Sequence, residues 1–217
     1  GKRGHEVLER LHRVAGSAGV PSLPRVLFRF QQMFADAYDA MRVRIVREGT
    51  PLDFYRAIGE QCLSNYYRDH YPFDRDESLG IEQHVGFALD ADGRYRVQGI
   101  VDRIVRAADG AIEIHDYKTG RWVPTQQELD QDRQLALYQI GLEQTYDDVK
   151  EVELVWHYLV FNKTLRSRRT PEELDGLRSA TMRLIDAIEA EQEFRPKPGP
   201  LCRWCNFAEL CEGAPPE

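Results

Sequence analysis

An α/β fold, a mixed central sheet flanked by helices, is predicted by two observations. Runs rich in β-branched and aromatic residues occupy 94–106 and 111–118, joined by the turn Ala107-Ala108-Asp109-Gly110. A helix-period stretch at 128–144 then leads to the apolar run Val152–Phe161, and a strand–helix–strand order of that kind gives a parallel pair. The 217 residues, 42% of them hydrophobic, are enough for a sizeable core.

The elements follow in order. Helices are expected at 5–15, 24–48 and 51–69, the last two divided by Gly49-Thr50-Pro51. Strands follow near 82–89, 94–106 and 111–118. The helix at 128–144 crosses to a strand at 151–161, apolar enough to be central. Thr170-Pro171-Glu172-Glu173 is a capping box with proline in the first turn, starting a helix that runs to about 192. Pro196, Pro198 and Pro200 end regular structure before a C-terminal cysteine loop.

The chemistry-bearing residues lie on the two central strands. Side chains alternate faces, so Ile112, Ile114, Asp116 and Lys118 share one side, and Ile100, Asp102 and Ile104 share one side of the partner strand. Two acids and a lysine on neighbouring strands suit a divalent cation with an ammonium beside an attacking water. Register is not legible from the sequence, and either acid alone reads equally as a surface or turn charge. The combination favours the site.

These runs resemble the core of the PD-(D/E)xK nuclease superfamily, in particular its RecB-like branch. That pattern runs Gly-x-x-x-His, Gly-x-x-Asp-Arg, Asp-Tyr-Lys-Thr/Ser and a helix with Gln-Leu-x-x-Tyr. Gly1 with His5, Gly99–Arg103, Asp116–Thr119 and Gln134–Tyr138 supply the four in sequence. The resemblance implies a restriction-endonuclease-like core with a helical N-terminal insertion, and a metal-dependent DNA nuclease. His5, Asp102 and Asp116 would hold Mg2+ or Mn2+ together with the backbone carbonyl of Tyr117. Lys118 would position or help deprotonate the attacking water. Gln134 would contact the scissile phosphate or a water on the cation, with Tyr138 one turn later on the same face. Without the resemblance, His5 reads as a structural histidine near a helix start. His12, His70 and His84 read as surface or satisfied positions and His157 as part of a strand, while alternation turns His115 away from Asp116.

The chain has four cysteines: Cys62, and Cys202, Cys205 and Cys211 in a Cys-x-x-Cys-x5-Cys array. Three so close together in a chain with no signal peptide read as metal ligands rather than a disulfide framework. Spacing alone allows zinc or iron–sulfur. A subset of the RecB-like family, including AddB-type and CRISPR-associated RecB-type exonucleases, has this triplet plus a distant upstream cysteine around a [4Fe-4S] cluster. The resemblance therefore implies such a cluster as a staple clamping the chain ends, with Trp204 and Phe207 as its apolar cover. Its fourth ligand would lie upstream of Gly1, in a longer protein of which this is a fragment, or would be Cys62.

One nuclease domain is expected: 1–80 mainly helical, 81–161 the catalytic sheet and crossover helix, 162–217 the C-terminal helix and cysteine cluster. No apolar run approaches the roughly 18 residues of a membrane span, so a cytoplasmic protein without a membrane partner is expected. The net charge of -7 excludes a uniformly basic surface, although bound cations would make an acidic site attractive to phosphate. Basic residues cluster at Arg42–Arg47 and at Lys163–Arg169, where they either track a nucleic-acid backbone or form plain solvated faces. Gly120-Arg121-Trp122-Val123-Pro124 either stacks on unpaired bases or is a loop with a buried indole. The function expected is hydrolysis of DNA ends or single strands in repair, recombination or foreign-DNA processing, with a helicase domain or subunit as neighbour. The competing readings are a silent nuclease-like domain that binds DNA ends or scaffolds a partner, and a small zinc protein.

Overall fold

The computed structural model describes residues 2–15, 19–38, 45, 49–146, 149 and 151–211. Three helices come first: α1 (Lys2–Ala15), α2 (Leu23–Ala37) and α3 (Leu52–His70). α1 buries Val7, Leu8, Leu11 and His12 along one stripe. α2 opens with a proline in its first turn, where the missing N–H has no partner to lose. The long helix expected at 24–48 stops at Ala37, and the basic run Arg42, Arg44 and Arg47 lies outside the described residues.

Five strands form one sheet in sequence order: β1 (Glu77–Ala88), β2 (Arg96–Arg106), β3 (Ile112–Lys118), β4 (Val152–Tyr158) and β5 (Lys163–Ser167). β3 and β4 are parallel and the other pairs antiparallel, so the sheet is mixed. The crossover between β3 and β4 holds two helices rather than the single one expected at 128–144: α4 (Gln126–Asp130) and α5 (Gln134–Glu143). Thr125 and Glu128 make a full capping box at the start of α4, and Asp132 accepts from the backbone N–H of Gln134 at 3.0 Å to start α5. α6 (Pro171–Ala190) opens on the capping box of Thr170 and Glu173.

The sheet has an apolar core on each face. Ile104, Ile114, Leu154 and Trp156 pack on Leu135 and Ile140 of α5 and Leu174 of α6. On the other face Tyr117 and Leu159 join Leu8, Phe30, Leu63 and Tyr66 from the N-terminal helices. Both faces being covered explains why β3 and β4 are buried along nearly their whole length, polar residues included.

The strand expected at 151–161 ends at Tyr158. Leu159–Phe161 form a 3-10 turn, Asn162 adopts the left-handed conformation (φ 49°), and the chain returns as β5. That return disposes of the basic segment. Arg166 pairs with Glu113 at 2.7 Å and with Glu153; Arg168 pairs with Glu151 at 2.7 Å and Glu153 at 3.2 Å. Arg169 donates to the carbonyls of Leu129 and Asp132. These cations answer the sheet's own carboxylates instead of presenting a free track. Among the described residues no helix is long and apolar enough to cross a membrane.

Candidate active site

β2 and β3 pair as far as Arg103↔His115, with Ile104 opposite Ile114. Continuing that register sets Asp102 across from Asp116 on the same face. Beyond Arg103 and His115 a side chain takes over from the backbone ladder: Asp102 Oδ2 accepts the Tyr117 N–H at 2.8 Å. The acid thus satisfies a donor that would otherwise need a strand partner.

The Tyr117 carbonyl faces α1, and His5 Nε2 lies 2.8 Å from it. With Nε2–H donating, Nδ1 turns its lone pair toward Asp102 Oδ1, 3.6 Å away. Two acceptors so placed invite a proton or a cation between them. Burial pulls the His5 pKa down, but Asp102, the Tyr117 carbonyl and Asp116 outweigh it and the net shift is upward.

Asp116 is buried, and burial raises its pKa; Lys118 opposes the rise and the like charge of Asp102 adds to it. Lys118 Nζ is 2.8 Å from Asp116 Oδ2, but off the direction of a hydrogen bond, so that buried oxygen has no hydrogen-bonding partner. Lys118 Nζ donates instead to Gln134 Oε1 at 3.1 Å. Tyr138 holds the same helix over β2: a Cβ at Gly99 would stand 2.4 Å from its Cε1. Glycine at 99 is therefore demanded by the tyrosine at 138.

Glu82 was not legible in the sequence. β1 pairs Ile81 with Arg103 and Gln83 with Val101, which leaves Glu82 opposite Asp102, at φ 47°. His5, Glu82 and Asp102 are the one trio among the described residues whose ligand atoms all lie within 4.8 Å of each other. Asp116 stands outside that trio, near enough to perturb His5. Burial first, then the charges of Asp102 and Glu9, raise the Glu82 pKa against His5 and Arg13. Only the β1–β2 register could have revealed this residue.

This donor set is carboxylate and carbonyl oxygen with one imidazole, and Asp116 contributes a buried oxygen lacking a hydrogen-bond donor. It fits a hard divalent cation. One imidazole is equally compatible with Mn2+. Beneath it, polar groups are paired. His12 Nε2 is 2.8 Å from the Tyr66 hydroxyl, which is 3.1 Å from the Tyr117 hydroxyl. Arg103, only 2% exposed, pairs with Asp76. His115 points to the opposite face from Asp116, with Nδ1 2.8 Å from His157 Nε2.

The cysteines divide into two groups. Cys62 is buried in α3 among Leu8, Leu63 and Tyr66, and burial pushes its thiol up to about 11. Cys202, Cys205 and Cys211 lie in short turns, where Gly199 N–H and Phe207 N–H donate to the sulfurs of Cys202 (3.2 Å) and Cys205 (3.4 Å). Phe207, expected as cover, is 69% exposed, and the Trp204 side chain lies outside the described residues.

The sequence model of the PD-(D/E)XK nuclease superfamily matches residues 1–212. No curated protein matches the chain. A solved structure titled "Crystal structure of SSO0001" aligns over 96% of this chain and 82% of its own, at 15% identity and a TM-score of 0.39; so loose a likeness supports no argument.

Proposed function

Since the chain belongs to the PD-(D/E)XK nuclease superfamily, we propose that it is a Mg2+- or Mn2+-dependent deoxyribonuclease of the RecB-like branch, acting on DNA ends or single strands as an exonuclease. The observation that supports this most is the convergence of His5, Asp102, the Tyr117 carbonyl, Asp116 and Lys118 where β2 and β3 part.

In this reading His5, Asp102, Asp116 and the Tyr117 carbonyl hold the cation, and Glu82 joins them. The bound cation would polarise the phosphodiester and lower the pKa of a water. Lys118 holds that water by hydrogen bond and offsets the charge that builds on the phosphoryl oxygens. Gln134 fixes the ammonium through its side-chain oxygen, 3.1 Å away, and Tyr138 sets the height of α5. Burial first, then the charge of Asp102, raises the pKa values of Glu82 and Asp116, and against burial Asp102 raises that of His5, so acids and an imidazole converge where a cation would sit.

The test is cleavage of end-labelled DNA with Mg2+, with Mn2+ and with chelator, by the natural chain and by Asp116→Ala. Cutting that needs the metal and vanishes in the variant is expected. Unchanged cutting by Asp116→Ala would refute the site, and no cutting by either protein would favour a silent end-binding domain.

The same reading extends to Cys202, Cys205 and Cys211 as three ligands of a [4Fe-4S] cluster, with Cys62 a candidate for the fourth. Iron and zinc content of the purified protein separates the cluster from a zinc knuckle. Repair, recombination or foreign-DNA processing beside a helicase is the setting such an enzyme suits.

A further inference from the structure

A cavity of about 350 Å³ opens directly beside Lys118, between the β3–α4 loop and α4. Lys118 belongs to both places: it lines the cavity and lies 2.8 Å from Asp116 Oδ2. Whatever fills the cavity therefore adjoins the reacting phosphate of the function proposed above, on which this inference rests.

The lining is unlike a phosphate site. Glu128 and Asp132 put carboxylates on the wall alongside the cations of Lys118 and Arg121, so the lining carries no surplus of positive charge for a second phosphate. Trp122 supplies flat aromatic surface, and the buried Trp156 and Tyr158 lie at the floor. Burial first, then Asp132 and Asp116, push the Tyr158 phenol up to about 12, so it stays a neutral donor. Trp122 is 64% exposed, a large apolar surface left in water. Its loop is nonetheless anchored at both ends. The Arg121 guanidinium lies 5.6 Å from the centroid of the Phe54 ring on α3, and Thr125 closes the capping box of α4. A fixed loop presenting a bare indole over a cavity with acceptor groups suits a planar, uncharged, amine-bearing ring.

The geometry points to a base subsite: this cavity seats one unpaired nucleobase of the substrate strand, stacked on Trp122, next to the phosphate that reacts beside Lys118. The substrate class it selects is single-stranded nucleic acid, because an unpaired base enters without the unpairing and unstacking cost that a duplex base carries. Glu128 and Asp132 accept from exocyclic amines, favouring adenine, cytosine or guanine over thymine.

The test measures anisotropy of a labelled single-stranded oligodeoxynucleotide with Ca2+ in place of Mg2+, using the full chain. Trp122→Ala should weaken binding about 5- to 150-fold, the range for losing one stacked base, and Trp122→Phe should restore most of it. A fully abasic strand of equal length should bind the natural chain more weakly than the base-bearing strand, with that difference largely reduced in Trp122→Ala. Equal affinity of natural and Trp122→Ala protein, or a preference for the base-bearing strand that the variant leaves untouched, overturns the subsite. Thermal melting checks that the exposed position is neutral to folding. The two readings fail separately. Trp122-dependent binding without metal-dependent cutting sinks the nuclease and keeps the subsite; cutting that ignores both Trp122 and the bases does the reverse.

Discussion

Gly99→Ala tests the contact that joins β2 to α5. The added Cβ would stand 2.4 Å from Tyr138 Cε1 and 2.8 Å from its hydroxyl oxygen, so the ring must move. Forced repacking costs about 1–3 kcal/mol, and alanine in place of glycine inside a strand returns roughly 0.5–1 kcal/mol. The net loss is roughly 0–2.5 kcal/mol, centred near 1 kcal/mol, which is about 2–4 °C in Tm for a chain of this size. In a Tyr138→Ala background the obstacle is gone, so the same substitution should stabilise. Urea unfolding of the natural chain, both single variants and the double, with unchanged m, measures this. A cost that is equal in the two backgrounds, or absent from both, refutes the packing argument. Because Gln134 lies one turn from Tyr138 on α5 and accepts from Lys118, Gly99→Ala should also slow cleavage.

Lys118→Ala should lower kcat by about 10²–10⁴, the usual span for a proton-handling group, and shift DNA affinity far less; a loss confined to affinity would contradict its role. His12 is buried and neutral, its pKa lowered to about 2 by burial with Arg103, His70 and His115 adding. Its contribution is therefore complete above the unfolded value of about 6.5 and is lost as pH falls from there toward the folded value. His12→Gln should flatten the pH dependence of unfolding free energy between pH 5 and 6 by about 1.4 kcal/mol per unit; an unchanged slope would show that the ring charges in place. Arg168→Gln should leave oligonucleotide affinity and its salt slope unaltered, since Glu151 and Glu153 engage that side chain; a slope reduced by about one would reinstate the segment as a phosphate track.

The sequence made legible what depends on local pattern and short motifs. The hairpin of β2 and β3 followed from β-rich runs around Asp109-Gly110, and α6 from its capping box. What depended on distant partners stayed hidden. β5 is hidden because Tyr158–Phe161 is apolar without interruption, and only Asn162, a residue tolerant of the left-handed region, marks the reversal. The crossover helix was read as one because the Thr125–Glu128 box and the Asp132 cap sit inside a stretch of helical composition. The acids at 102 and 116 could be paired by face, but their neighbour at 82 emerges only from a register between strands. Arg166 and Arg168 looked like surface charge because their carboxylate partners come from other strands.

The bond from Asp102 to the Tyr117 amide means that one carboxylate also fastens the seam between two strands. Deleting that side chain to silence the protein would strip a donor of its acceptor and loosen the sheet, so damage to architecture would masquerade as damage to chemistry. Asparagine, which keeps an oxygen for the amide while discarding the charge, is the substitution that tells the two apart.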